Sequence, residues 1–263
     1  MLVRVNDLET HYTLRGAGTP VILLHGWGAS GDSLGGVARA LEDRCRVLAA
    51  DLPGFGWSAP PLVAWGSREY AAHVDALMER ATLPSASVLG HSFGGRVALA
   101  LAARYPHRVR DLVLVASAGI RPRRGPDYYL KTATAKLAKG CLSLPVFGRV
   151  GSRIVSGLSD WAGSRDYRRA GRMRATLVRL VNEDLRDLLS SIRAPTLIIW
   201  GDRDRDVPRS SMEIMARRIP GARLEILEGA GHFPFVDVPD RFAHLVREFL
   251  CQTQNASGRA NRA

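Results

Sequence analysis

The run Gly90-His91-Ser92-Phe93-Gly94 sets a serine between glycines, directly after a short apolar run ending at Leu89 and before the Ala/Leu-rich stretch Gly95–Tyr105. A strand turning this sharply into a helix strains the backbone at the serine and exposes its hydroxyl, and a Cβ at either flanking glycine would clash. Such a serine can attack an acyl carbon; the plainer alternative is a helix N-cap, a role serine favours. Attack needs a base, and the base an orienting acid. Of the seven histidines, His11, His73, His107 and His244 are predicted on surface strands or helices, with solvated rings. His91 is expected to point to the opposite side of the strand end from the serine, and His25 to make structural hydrogen bonds. His232 lies in Gly229-Ala230-Gly231-His232-Phe233-Pro234, a loop after the last predicted strand that would give a base the freedom it needs. The acid would come from Gly201–Pro208, which offers Asp202, Asp204 and Asp206, because no acid directly follows the strand ending at Ser117. Acyl transfer also builds negative charge on the carbonyl oxygen. The loop His25-Gly26-Trp27-Gly28 could meet it with the N–H of Trp27, and the turn after Ser92 with the N–H of Phe93.

These residues need a scaffold, and the apolar runs supply one. Val21–Leu24, Val47–Ala50, Val88–Leu89, Leu112–Val115 and Leu197–Trp200 are continuous rather than alternating, as strands covered on both faces are. Stretches of helical length lie between them, including 69–81, 95–105, 210–218 and 240–250. The alternation predicts an α/β fold with a mostly parallel sheet flanked by helices. Leu2–Val5 and Thr10–Leu14 flank the turn-prone pair Asn6-Asp7 and read as an antiparallel hairpin. Arg223–Ile226 alternates polar and apolar residues, as an edge strand with one buried face does. The rhythm stops between residues 120 and 190, where helix-like pieces are broken by Pro122, Pro126, Gly140, Pro145 and Gly151. The expected organisation is a core in two parts, residues 1–119 and 191–251, a helical cap or lid at 120–190, and a disordered tail at 252–263.

Four ordered blocks resemble a cap-bearing esterase or lipase of the α/β-hydrolase fold. They are His25–Gly28, Asp51-Leu52-Pro53-Gly54-Phe55-Gly56-Trp57-Ser58, Gly90–Gly95, and Gly201–Asp204 with Gly231–Pro234. The resemblance covers almost the whole chain except the insert. It implies a triad in the order Ser92, Asp204, His232, because the family's acid falls four residues into its Gly-x-x-Asp loop; Asp202 and Asp206 are then surface or loop-capping residues. It implies an oxyanion hole from Trp27 and Phe93, a loop near the pocket shaped by the Asp51–Ser58 block with no catalytic role, and no metal or organic cofactor. A serine where haloalkane dehalogenases and most epoxide hydrolases carry an aspartate excludes those chemistries. The expected activity is cleavage of small to medium carboxylic esters through an acyl-enzyme. Carbon–carbon bond hydrolysis, perhydrolysis and a silent binding protein on the same fold are the alternatives. The carbon–carbon hydrolases place a tryptophan after the catalytic histidine, where this chain has Phe233. Gly26, Phe233, Phe147 and Trp161 are expected at the substrate site, the last two as part of an apolar lid suited to an acyl or aryl group.

The charge is the unusual feature of the composition. Across 263 residues, 37 Lys and Arg against 25 Asp and Glu give +12, with a pI near 10.5. Such a balance suggests nucleic acid first. The excess is local, however: residues 120–190 hold 15 basic and 6 acidic side chains, and the rest of the chain 22 and 19. With no recognition motif or stacking platform in view, nucleic acid is not an expected partner. The basic lid is read as a solvated face, with attraction to anionic substrates or a membrane surface as the alternative. No apolar stretch reaches the length of a spanning helix. The odd, widely spaced cysteines Cys45, Cys141 and Cys251 suggest neither a disulfide framework nor a metal cluster, which fits a cytoplasmic protein, as monomer or dimer.

Overall fold

The computed structural model describes residues 1–121 and 169–260. The chain divides into two compact units, residues 1–121 with 178–263 and residues 122–177. In the smaller unit the described residues include a 3₁₀ turn at Gly171–Met173 and the start of the helix Arg174–Asn182.

The sheet lies wholly in the larger unit. Its strands are β1 (Leu2–Val5), β2 (Leu8–Arg15), β3 (Thr19–Leu24), β4 (Cys45–Ala50), β5 (Ala86–His91), β6 (Val109–Val115), β7 (Thr196–Gly201) and β8 (Arg223–Leu227). They are ordered β1-β2-β4-β3-β5-β6-β7-β8. β1, β2 and β4 pair antiparallel, and all later pairs are parallel. The described helices are α1 (Gly35–Leu41), α2 (Ser67–Arg80), α3 (Phe93–Arg104), α4 (Arg174–Asn182), α5 (Arg209–Arg218), α6 (Pro234–Asp237) and α7 (Pro239–Ala260). This is the expected mostly parallel sheet flanked by helices. The last helix runs on through residues read from the sequence as a tail.

The continuous apolar runs are buried because each strand face meets a helix layer. Val21, Leu23, Val47, Ala49, Leu89, Val113, Leu197 and Ile199 pack with α1 and with Phe242 and Val246 of α7. The alternate residues Ile22, Leu24, Val88, Leu112 and Leu114 are fully buried, and α3 lies against β3, β5 and β6. Each such side chain taken out of water contributes about 1.5–3 kcal/mol before the entropy of ordering it is counted. At the hairpin, Asn6 and Asp7 have φ of 46° and 64°, the paired left-handed conformation that closes a two-residue turn with the right strand twist. Among the described residues no helix is long and apolar enough to cross a membrane.

Two histidines depart from the expectation of solvated rings, while His107 and His244 are exposed. His11 is half-buried, its Nδ1 3.0 Å from Asp51 Oδ2. His73 is buried on the inner face of α2, its Nε2 2.9 Å from Thr10 Oγ1. Helical periodicity alone does not reveal that α2 lies against the β1–β2 hairpin. Burial pushes the pKa of His73 down to about 4, so the native protein refuses a proton that the unfolded chain accepts. Above the unfolded value of 6.5 both states hold a neutral ring, and its contribution to stability is complete. As pH falls through the window from 6.5 to about 4, stability drops by up to about 1.4 kcal/mol per pH unit for this one residue. Urea denaturation at pH 7.5 and pH 5.0 is expected to show a large loss in the wild type and a smaller one in His73→Leu. Equal losses in the two proteins would remove His73 from the account.

Candidate active site

The carboxyl ends of the parallel strands carry Ser92, Phe93, Trp27, Asp204 and His232, the described residues expected to do the chemistry. β5 enters α3 through Ser92, whose φ of 51° and ψ of −110° lie in a region other side chains avoid. The turn closes only with glycines beside it: a Cβ on Gly90 would stand 2.4 Å from the Gly94 carbonyl oxygen, and one on Gly94 2.1 Å from that of Leu24. Ser92 is held by its own N–H to the Val115 carbonyl at 2.9 Å and by Ala118 N–H to its carbonyl at 3.0 Å.

After β7 the chain curls around Asp204. Its Oδ1 accepts the N–H groups of Asp206 at 2.8 Å and Val207 at 3.0 Å, and its Oδ2 lies 2.9 Å from His232 Nδ1. The Asp204 side chain has no exposed surface and that of His232 is 12% exposed. Burial pushes the Asp204 carboxyl up, but the hydrogen bonds from His232, Val207 and Asp206 outweigh it and hold the group below the ordinary carboxylate value. Asp202, by contrast, is exposed and accepts the Gly229 N–H at 2.7 Å. It closes the loop that carries His232 onto the end of β7. Asp204, Asp206 and His232 together offer oxygen and nitrogen atoms within 4.8 Å of one another. Both oxygens of Asp204 are already engaged, which is poor chemistry for a cation site.

The loop after β3 is held from behind. His25 is fully buried; its Nδ1–H donates to the Gly26 carbonyl at 2.7 Å, and its Nε2 accepts the Leu52 N–H at 3.0 Å. That is the structural role expected for it, and burial pushes its pKa down so that the ring stays neutral. The Trp27 ring stands edge-on to Phe55 and Phe93, with centroids 4.8 and 5.5 Å away. Phe93 is the first residue of α3, so its N–H has no partner within the helix. Among the described residues neither that N–H nor the one on Trp27 has a protein acceptor. Nor does a hydrogen bond join the Ser92 hydroxyl to His232 there, a slackness common in sites that tighten only around substrate.

Sequence reasoning missed two participants. Asp51, read only as part of a block that shapes a loop near the pocket, is a buried carboxylate. It accepts the N–H groups of Gly31 at 2.7 Å and Trp57 at 2.9 Å, and so ties two loops at the strand ends together. An acid closing the apolar run Val47–Ala50 was the available signal. His91, expected to point away, instead turns its ring toward the loop that carries His232, its Nε2 2.8 Å from the His232 carbonyl oxygen. Spacing carries no sign of that contact, because the partners are 141 residues apart. Of the expected substrate residues, Phe233 is half exposed beside His232, and Gly26 turns the position of its absent Cβ toward the His91 ring. Phe147 and Trp161 lie outside the described residues.

Comparison with known proteins adds four findings. The family profile described as alpha/beta hydrolase family matches residues 21–245. The chain is 34% identical over 249 residues to a pimeloyl-[acyl-carrier protein] methyl ester esterase of Aeromonas hydrophila, covering 89% of this chain and 96% of that protein. It is 32% identical to a 2-hydroxymuconate semialdehyde hydrolase of Pseudomonas putida, covering 90% and 89%. Among solved structures, a meta-cleavage product hydrolase from Pseudomonas fluorescens superposes with a TM-score of 0.73 at 25% identity, over 96% of this chain and 97% of that one.

Proposed function

The chain belongs to the alpha/beta hydrolase family, and from that premise we propose that it is a serine hydrolase of carboxylic esters. Ser92 attacks the acyl carbon while His232 takes its proton. Asp204 holds His232 in the Nδ1–H tautomer and stabilises the imidazolium that forms. The N–H groups of Trp27 and Phe93 receive the oxyanion, and His232 returns the proton to the leaving alkoxide. Water then attacks the acyl-enzyme with His232 again as base. One observation carries the reading: a buried carboxylate bonded to His232 Nδ1 at 2.9 Å, while the His232 carbonyl is bonded to His91, the residue before a serine held at φ 51°. That pairing orients a base and serves no packing need. The esterase relative supports the same bond type.

We place a hydrophobic acyl or aryl group in the substrate. The support is the half-exposed Phe233 beside the base and the apolar residues of the insert, Phe147 and Trp161 among them. Across a p-nitrophenyl series from acetate to octanoate, kcat/KM is expected to rise by about tenfold or more, because each added methylene buried is worth about 0.8 kcal/mol until the pocket is full. A flat series would remove the apolar pocket. A second reading, carbon–carbon bond hydrolysis of a vinylogous diketone, is favoured by the semialdehyde hydrolase relative. Rapid cleavage of a ring-fission product beside feeble ester turnover would establish it instead.

A further inference from the structure

Three segments of the site converge on one ring that the mechanism above does not use. His91 is the last residue of β5, is 3% exposed, and adjoins Ser92 directly. Its Nε2 lies 2.8 Å from the His232 carbonyl oxygen, and its ring is 4.9 Å from the His232 ring and 5.1 Å from those of Phe233 and Phe235. On its other side, a Cβ on Gly26 would stand 2.9 Å from His91 Nδ1 and 3.6 Å from Ser92 Cβ. The ring fills the space between the oxyanion strand end, the nucleophile and the base loop.

We propose that His91 is a positioning residue for the general base: by donating its Nε2–H to the main-chain carbonyl of His232, it ties the base loop to the strand that carries Ser92. The inference rests on the serine-hydrolase reading above. A carbonyl can only accept, so the hydrogen on His91 sits on Nε2, and Nδ1 is bare where it faces Gly26. His232 is thereby held at two points, by Asp204 through its side chain and by His91 through its backbone. The loop is also held before His232, by Asp202 at the Gly229 N–H and Asp237 at the Gly231 N–H, each at 2.7 Å, and by the Arg203 N–H at the Ala230 carbonyl at 2.9 Å. None of these bonds reaches the backbone of His232 from the strand that carries Ser92, and the His91 bond does. The neutral state of His91 also matters, because an imidazolium forms on His232 during turnover and a second cation 4.9 Å away would oppose it. Burial keeps His91 neutral down to about 4.

The test compares His91→Leu, which cannot donate, with His91→Gln, whose amide can reach the same carbonyl. Leucine is expected to lower kcat on p-nitrophenyl butyrate by about 10- to 100-fold, the scale of a displacement near 1 Å, with KM within about threefold. Glutamine is expected to restore most of the loss. Nitrogen NMR of the wild type is expected to report His91 as the Nε2–H tautomer, a reading that stands even where a variant folds poorly. Leucine turnover within threefold of wild type, a glutamine variant as impaired as leucine, or an Nδ1–H tautomer would each overturn the proposal. The control is Ser92→Ala: full turnover there sinks the serine reading and the inference with it, whereas a dead alanine beside an unimpaired leucine sinks the role of His91 alone.

Discussion

Ser92→Ala is expected to lower ester turnover by between about 10⁴- and 10⁶-fold, since removal of the nucleophile leaves only binding and oxyanion contacts to act on water. Labelling by a fluorophosphonate probe should vanish in the same variant, because the probe needs the same nucleophile. Folding should not suffer. Alanine keeps the Cβ of serine, and the Ser92 hydroxyl has no protein partner among the described residues, so nothing buried is left unpaired. A companion, Ser92→Gly, separates strain from chemistry. A residue at φ 51° and ψ −110° sits in a sparsely populated region that costs on the order of 1–3 kcal/mol. Glycine bears that conformation at little cost, so Ser92→Gly is expected to be as inactive as Ser92→Ala yet more stable than it. Thermal unfolding beside the rate assay reads both. An alanine variant that keeps its ester activity would mean that another group performs the attack.

The strands were readable because burial on both faces writes itself into sequence as uninterrupted apolar runs, and all five runs singled out lie in β3 to β7. The hairpin was readable because few residues other than glycine accept a positive φ, and Asn6-Asp7 is such a pair. The elbow could be recognised from a local rule, since the clash that Gly90 and Gly94 avoid arises within the turn and with the neighbouring strand. Contacts that depend on long-range closure left no comparable trace. His73 and His107 both look like helix-associated surface histidines in sequence. Only the packing of α2 against the hairpin buries the first and leaves the second in water. The tie from His91 to His232 joins residues 141 positions apart, and neither of the two motifs they lie in signals the contact. Asp51 and Asp202 likewise bind loops that are distant in the chain. The concentration of positive charge in residues 120–190, 15 basic side chains against 6 acidic, is a sequence fact alone.

The choice of acid shows how three like residues become unlike. Asp202, Asp204 and Asp206 share a loop and a charge, and only the family resemblance separated them in sequence. In the fold Asp204 alone turns inward, with Oδ1 capped by two successive N–H groups in an Asx-type turn and Oδ2 left for His232. Asp204→Asn keeps the shape and the Oδ1 contacts but sets an NH₂ group against His232 Nδ1. The ring must then accept at Nδ1, which moves its hydrogen to Nε2, the atom that should take the proton from Ser92. A base in the wrong tautomer is no base, and kcat is expected to fall by about 10³- to 10⁴-fold with KM little changed. Asp206→Asn keeps the backbone N–H that Asp204 accepts and leaves the ring untouched. Asp202→Asn keeps a side-chain acceptor for Gly229. Both are expected to stay within about threefold of wild type, in line with exposed substitutions that leave their backbone partners intact. Steady-state kinetics on p-nitrophenyl butyrate for the three variants decides the matter: a loss at Asp202 or Asp206 equal to that at Asp204 would mean that the 2.9 Å contact with His232 is not what orients the base.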